Sequence, residues 1–127
     1  MDKKIIFYRC NHCGNLVRVI KNGGVNPICC GEKMEILIPA SVDASLEKHV
    51  PVVNVNGNII TVSVGEVQHP MLEEHKIDWI YLLTKRGGTL KTLEVGEEPK
   101  RTFAMIEDEL VAVYSYCNIH GLWEFIV

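Results

Sequence analysis

The sequence lacks an apolar run long enough to cross a lipid bilayer. Its longest apolar stretches, such as 77–83, are interrupted by charge and fall far short of the ~20 residues that a spanning helix needs. The first four residues lead into no apolar segment of the kind found in signal peptides. We therefore expect a cytoplasmic protein that is not embedded in a membrane.

The sequence also lacks an excess of basic residues. It has 13 Lys and Arg against 16 Asp and Glu, which gives a formal net charge of -3 at pH 7. Nucleic-acid-binding modules normally cluster basic residues to neutralise phosphates. We expect no nucleic-acid partner, and any attraction for an anion must be local.

Cysteine is scarce but unevenly placed, because four of the five cysteines lie within the first thirty residues: Cys10, Cys13, Cys29 and Cys30. Without a signal peptide, reduced thiolates that bind a metal are favoured over disulfides. The segment 1–37 has too few apolar residues to build a core, and units below about 40 residues usually need a metal or disulfides. We predict a small metal-stapled domain over 1–37.

The rest of the chain has the pattern of an all-β domain. Small and turn-forming residues over 38–45 indicate a linker, and 46–127 forms the second domain. In that domain, runs rich in Val, Ile, Tyr and Thr alternate with turn signals, one of them at 86–88, and predict strands at 50–55, 59–64, 77–84, 89–95, 100–106, 110–116 and 122–127. Seven short strands at this spacing favour an antiparallel, immunoglobulin-like β-sandwich. The only helical feature we expect is a single turn at 70–75.

The four N-terminal cysteines are spaced for one tetrahedral metal site. Cys10 and Cys13, followed by Gly14, form a Cys-x-x-Cys turn that supplies two thiolates by local geometry. Cys29 and Cys30 are adjacent, and neighbouring side chains on an extended backbone point to opposite sides. Both can reach one ion only if the backbone bends there, which the glycine that follows favours. The spacing fits a structural zinc site or an iron electron-transfer site.

The five histidines divide into one within this turn and four beyond the linker. We interpret His12 as a solvated loop residue, since four cysteines already fill a tetrahedral shell. The other four histidines and the last cysteine all lie at predicted strand ends or connections: His49, His69, His75, Cys117 and His120. Taken singly, each has an ordinary structural explanation, as a turn, surface or core residue. Together they suit a site built from converging loops.

This ligand set favours iron over zinc. Zinc normally stops at four ligands, whereas four imidazoles and one thiolate suit a redox-active ion of higher coordination number. Ferrous iron with one thiolate keeps a net positive charge, which suits a small anion. Lys48 is either an anion-steering and proton-delivering group or a solvated surface lysine. Glu47 either closes the open iron position in the ferric state or pairs with a nearby lysine.

These residues resemble the desulfoferrodoxin family of two-iron superoxide reductases over nearly the whole chain. CNHCG at 10–14 with CCG at 29–31 resembles the desulforedoxin unit. The second domain matches family segments with EKHVP at 47–51, HPM at 69–71, EHKIDWI at 74–80 and CNIHGLW at 117–123.

The resemblance implies two iron ions per chain. The first is bound by the four N-terminal cysteines as an auxiliary redox centre. The second has His49, His69, His75 and His120 in a plane, with Cys117 axial. It reduces superoxide by one electron to hydrogen peroxide without releasing dioxygen. Lys48 acts on the incoming anion, and Glu47 binds the ferric resting state. The family also implies a homodimer, re-reduction by rubredoxin or a similar donor, and a role in oxygen detoxification.

Two other functions remain open from the sequence. One is an electron-transfer or redox-sensing protein whose irons catalyse no reaction. This function predicts a second iron whose sixth position is closed to small anions. The other is a zinc-dependent structural or nucleic-acid adaptor, which the acidic composition disfavours.

Overall fold

The computed structural model describes residues 5–40, 49–65 and 69–127, which form two compact units that divide between Ile38 and Pro39. Every regular element within those ranges is a β-strand. The prediction of an all-β chain is therefore confirmed. Within the same ranges, no helix has the length and apolar character needed to span a membrane.

In its described residues, the N-terminal unit has five short strands in two antiparallel sheets. They are β1 (Ile6–Arg9), β2 (Leu16–Val19), β3 (Ile28–Cys29), β4 (Glu32–Lys33) and β5 (Glu35–Ile36). β1 lies between β2 and β5, while β3 and β4 form a separate hairpin. One buried cluster of this unit consists of Tyr8, Cys10 and Met34, with Ile6, Val19 and Cys29 packed against it. A small cluster that includes thiols is typical of a fold that a metal completes.

The second unit contains seven strands within its described residues. They are β6 (Pro51–Asn56), β7 (Ile59–Val64), β8 (Ile77–Thr84), β9 (Gly87–Thr92), β10 (Lys100–Ala104), β11 (Leu110–Cys117) and β12 (Gly121–Ile126). One sheet has the order β10-β7-β6 and the other β12-β11-β8-β9, with antiparallel pairing throughout. This order corresponds to strands A, B and E facing strands G, F, C and C′ of an immunoglobulin sandwich. The predicted seven-stranded sandwich is confirmed.

The central strands β8 and β11 anchor the core of this unit. They are paired along most of their length, and both alternating sets of their side chains are largely buried. The inner cluster joins them to side chains of the facing sheet: Ile60, Val62, Val64, Ile80, Leu82, Phe103 and Val113. Burying this apolar surface stabilises the unit by roughly 25 cal/mol per Å² removed from water. The ends of β8 and β11 are therefore firm supports for a site.

Two local predictions in this unit are wrong. Gly87 and Gly88 belong to β9 rather than to a turn, which occupies only Lys85 and Arg86. Gly88 is required within the strand because a Cβ there would overlap the ring of Tyr81. The segment 70–75 is not helical. It is a tight loop in which Leu72 and His75 exchange backbone hydrogen bonds of 2.9 and 3.2 Å.

Candidate metal centres

The adjacent cysteines of the N-terminal unit lie at the corner of the β3–β4 hairpin. Cys29 pairs with Glu32, so Cys30 and Gly31 form a two-residue loop. Both loop residues have positive φ, 53° at Cys30 and 77° at Gly31, as a type I′ turn requires. A left-handed conformation at a residue other than glycine costs roughly 1–2 kcal/mol. This is the backbone bend that the sequence predicted, and it brings both thiols to one side.

The Cys-x-x-Cys turn supplies the other two thiols. Its backbone closes through a 2.9 Å hydrogen bond from the Gly14 N–H to the Cys10 carbonyl. The Cys13 N–H points at the Cys10 Sγ atom 3.5 Å away. This hydrogen bond is the main cause that lowers the pKa of Cys10 from 9.0 to about 6. The turn thus favours the thiolate form that binds a metal.

The four thiols together suit a cation. Their Sγ atoms all lie within 4.8 Å of one another, and those of Cys13 and Cys29 are 3.6 Å apart. Hydrogen bonding with Cys10 is the first cause that raises the pKa of Cys29, and likewise raises the pKa of Cys30 to about 12. Several thiolates cannot accumulate at this spacing without a positive charge to offset their repulsion. A metal ion supplies that charge.

His12 stays outside this group, as the sequence predicted. Its ring is half exposed, and its Nε2 atom lies 3.1 Å from a carboxylate oxygen of Glu32. The candidate ligands of the first site are therefore the four cysteines, without His12.

The second group lies at one end of the sandwich. Cys117 ends β11, His120 directly precedes β12, and His75 lies two residues before β8. His49 lies two residues before β6, and His69 belongs to the loop that precedes β8. The ligand atoms of all five side chains lie within 4.8 Å of one another. The structure therefore brings together every residue that the sequence indicated for a second metal.

The four imidazole rings form a closed circuit. Ring centroids are 4.6 Å apart for His49–His69, 4.8 Å for His69–His75, 5.2 Å for His75–His120 and 4.8 Å for His49–His120. Each ring meets its neighbours edge to face at interplanar angles of 61–87°. Four rings at nearly equal spacing suit four imidazoles that bind one ion.

Three contacts indicate which ring nitrogens would face a bound ion. The His120 Nδ1 atom lies 3.1 Å from the His49 Nε2 atom and 3.7 Å from the Cys117 Sγ atom. The His69 Nδ1 atom lies 2.8 Å from the Pro70 carbonyl, which can only accept, so Nδ1 carries the proton and Nε2 is left to coordinate. The ligand atoms all lie within 4.8 Å of one another, close enough for one ion with metal–ligand distances of ~2.0–2.3 Å to be held by the whole group.

Burial changes steadily across the second group. Cys117 is fully buried, His49 and His69 are 1% and 2% exposed, His75 is partly exposed and His120 is exposed. The thiolate thus lies on the inner side, where low polarity strengthens its interaction with a cation. His120 therefore lies at the solvent-exposed edge of the group.

Sequence reasoning missed two residues that hold His49. The fully buried Ser115 donates a 3.0 Å hydrogen bond from Oγ to the His49 carbonyl, and Trp123 stacks on the His49 ring. Ser115 and Trp123 are directly paired across β11 and β12, so their side chains share one face of the sheet. Strand periodicity from Cys117 could have placed Ser115 on this face, but it could not have identified a partner 66 residues away.

Glu47 and Lys48 lie outside the described residues, so their predicted roles rest on the sequence. The donor sets of the two groups suit two iron ions per chain, one with four thiolates and one with four imidazoles and a thiolate.

Known proteins resemble this chain over both units. The desulfoferrodoxin family model matches residues 41–125, and the model for the desulfoferrodoxin N-terminal domain matches residues 3–37. The desulfoferrodoxin homolog of Archaeoglobus fulgidus is 43% identical, and the desulfoferrodoxin of Nitratidesulfovibrio vulgaris is 41% identical. Each of these alignments covers 98% of both chains.

A solved structure agrees with these matches. The superoxide reductase from Treponema pallidum is 33% identical, with a TM-score of 0.86 and coverage of 98% of this chain and 99% of that one. With both domains matched and the expected cysteines and histidines clustered, this chain belongs to the desulfoferrodoxin family.

Proposed function

We propose that this chain is a superoxide reductase, an oxidoreductase that converts superoxide to hydrogen peroxide without releasing dioxygen. The reaction consumes one electron and two protons for each superoxide. The observation that carries the proposal is the cluster of four imidazoles and one thiol, in which Cys117 is buried and His120 is exposed. The relatives described as superoxide reductases support the same activity.

The five side chains of the cluster are proposed to bind the catalytic iron. Bound iron supplies the electron and an open coordination position for a small anion. Cys117 would hold the iron from the buried side, and its thiolate would supply electron density that favours reduction of a bound anion. The imidazoles are neutral when they coordinate, so the site keeps a net positive charge that attracts superoxide.

Lys48 and Glu47 complete the proposed chemistry. The Lys48 ammonium steers the anion into the site and stabilises the negative charge of the reduced product until it is protonated. The Glu47 carboxylate would bind the ferric iron in the resting state, as the family resemblance implies. Both assignments come from the sequence segment 47–51 and its resemblance to the family.

The four-cysteine centre is proposed as an auxiliary electron-transfer site held by Cys10, Cys13, Cys29 and Cys30. We assign it to a domain at 1–37, joined by a linker at 38–45 to the catalytic domain at 46–127. The family matches at 3–37 and 41–125 support this division. We further propose a cytoplasmic homodimer that a rubredoxin-like protein reduces as part of an electron-transport chain for detoxifying superoxide.

A titration with a small anion tests whether the second site is open. The anaerobically reduced protein is mixed with azide or cyanide, and the spectrum of the second iron is followed. We expect a saturable change at that iron and none at the four-cysteine centre. If neither anion changes the spectrum of the second iron, the result would favour an electron-transfer or redox-sensing protein instead.

A further inference from the structure

Asn118 connects the turn that carries Cys117 and His120 to the loop that carries His75. Its Nδ2 group donates a 3.2 Å hydrogen bond to the Glu74 carbonyl. Its Oδ1 atom accepts a 2.9 Å hydrogen bond from the Lys76 N–H. Its own backbone N–H donates to the Lys76 carbonyl at 3.1 Å. These three bonds enclose His75, which lies between Glu74 and Lys76.

The side chain of Asn118 extends the β8–β11 ladder past its end. The last main-chain pair of that ladder is Cys117 with Ile77. Residues 118–120 turn there so that β12 can start at Gly121, whose φ of 85° suits the left-handed position that closes a three-residue hairpin loop. The Asn118 amide oxygen accepts the Lys76 N–H at the point where a main-chain carbonyl would accept it in a longer ladder.

Asn118 is therefore part of the 117–120 turn and is also hydrogen-bonded to the loop that carries His75. Asn118 follows Cys117 directly and precedes His120 by two residues, so its backbone position is set by the ligand turn. Its amide group sets the position of the backbone on both sides of His75. Asparagine suits this place because one side chain offers both a donor and an acceptor.

We propose that Asn118 is a positioning residue for the second iron, holding His75 at its distance from Cys117 and His120. It does not touch the substrate or serve as a ligand. Partners that orient metal ligands typically change metal affinity by roughly 10–100-fold when they are removed. The inference rests on the proposed function only in treating His75, Cys117 and His120 as ligands of one ion.

The test compares Asn118→Ala and Asn118→Asp with the parent protein. Ferrous iron binding at the second centre is measured anaerobically by competition with a chelator, and the ferric absorption spectrum is recorded. We expect Asn118→Ala to weaken binding there by roughly 10–100-fold and to shift the thiolate-to-iron absorption band. Asn118→Asp keeps the acceptor for the Lys76 N–H, so we expect it to recover part of the affinity.

Asp108 offers a matched control at the opposite end of the same two strands. Its carboxylate accepts hydrogen bonds from the Thr84 hydroxyl and from the backbone N–H groups of Arg86 and Glu109. Asp108→Ala thus removes side-chain hydrogen bonds that connect the segment before β11 to the end of β8 and the turn after it, without approaching the metal. We expect it to lower stability while leaving iron affinity and spectrum unchanged.

A second readout needs no iron. In the metal-free protein, we expect the Lys76 N–H to exchange with solvent faster in Asn118→Ala than in the parent or in Asp108→Ala. The proposal is overturned if Asn118→Ala binds iron within twofold of the parent with the same spectrum, if Asp108→Ala loses as much affinity, or if Lys76 exchange is unchanged. None of these measurements uses superoxide, so their failure is distinct from a failure of the reductase proposal.

Discussion

The indole ring of Trp123 lies flat against the imidazole ring of His49, with centroids 4.5 Å apart and planes inclined by 12°. The Ser115 hydroxyl holds the His49 carbonyl at 3.0 Å. His49 is thus fixed through both its ring and its backbone. A ligand restrained in this way needs little reorganisation when the metal binds, because its rotamer is already set.

We predict that Trp123→Ala destabilises the protein and weakens iron binding at the second centre. Loss of the stacked ring removes packing and frees the His49 side chain, so we expect a loss of about 1–3 kcal/mol in the free energy of unfolding. Urea denaturation and chelator competition measure the two effects. Trp123→Phe keeps an aromatic face and should retain most of the iron affinity; equal losses in both variants would argue against stacking as the cause.

Cys117→Ser is predicted to abolish superoxide reduction while leaving the four-cysteine centre spectroscopically intact. Serine does not supply the thiolate that donates electron density to the catalytic iron. Cys30→Ser is the reciprocal variant, and it should disrupt the first centre without abolishing turnover. Absorption spectra of both centres and a superoxide assay are recorded for each variant. Turnover that survives in Cys117→Ser would remove the proposed role of this thiolate.

Lys48→Ala is predicted to slow superoxide capture and to weaken its dependence on ionic strength. Salt screens the attraction between the lysine charge and superoxide beyond about 8 Å at physiological ionic strength, so the capture rate should fall as salt is added. Pulse radiolysis over a range of salt concentrations gives the rate and the slope. Lys85→Ala removes the same charge at the β8–β9 turn, where Lys85 pairs with Glu109. If Lys48→Ala and Lys85→Ala have the same rate and the same salt dependence, Lys48 is an ordinary surface lysine.

Asp108→Asn is predicted to lower stability at neutral pH by an amount that disappears in acid. The hydrogen bond from the Thr84 hydroxyl is the main cause that holds the pKa of Asp108 below its ordinary value of 3.8. Ionised Asp108 therefore stabilises the fold above the unfolded-state pKa, and this contribution is lost as the pH falls through the folded-state pKa.

The measurement for Asp108 is the difference in unfolding free energy between variant and parent from pH 7 downwards. Acid also strips metal from thiolate ligands in both proteins, so the difference is more informative than either curve. We expect a constant gap down to about pH 4 that closes below it. A gap that persists at the lowest pH would show that the charge of Asp108 contributes nothing.

The sequence predicted the fold well where local pattern decides structure. Strands β7 and β8 have the expected bounds because Val- and Ile-rich runs flanked by turn residues define them. The prediction was wrong at Gly87 and Gly88, which belong to β9; a close approach of Tyr81 leaves no room for a Cβ at Gly88. In a sequence, glycine indicates a turn, because the side chain that packs against it in the fold is not known.

Both groups of candidate ligands could also be found from spacing, because turns such as 117–120 bring their members together locally. The residues that hold the ligands in place could not be found from spacing. Asn118 and Ser115 act through main-chain groups more than 40 residues away in sequence. Such contacts leave no periodic pattern, and they depend on how the strands pair.

The most direct test of the account is a pulse of superoxide onto the anaerobically reduced protein, with hydrogen peroxide and dioxygen both quantified. We expect peroxide in a one-to-one ratio to the superoxide consumed, with no dioxygen, because the electron comes from the protein. Dioxygen released together with peroxide, or decay no faster than the spontaneous rate, would contradict a superoxide reductase.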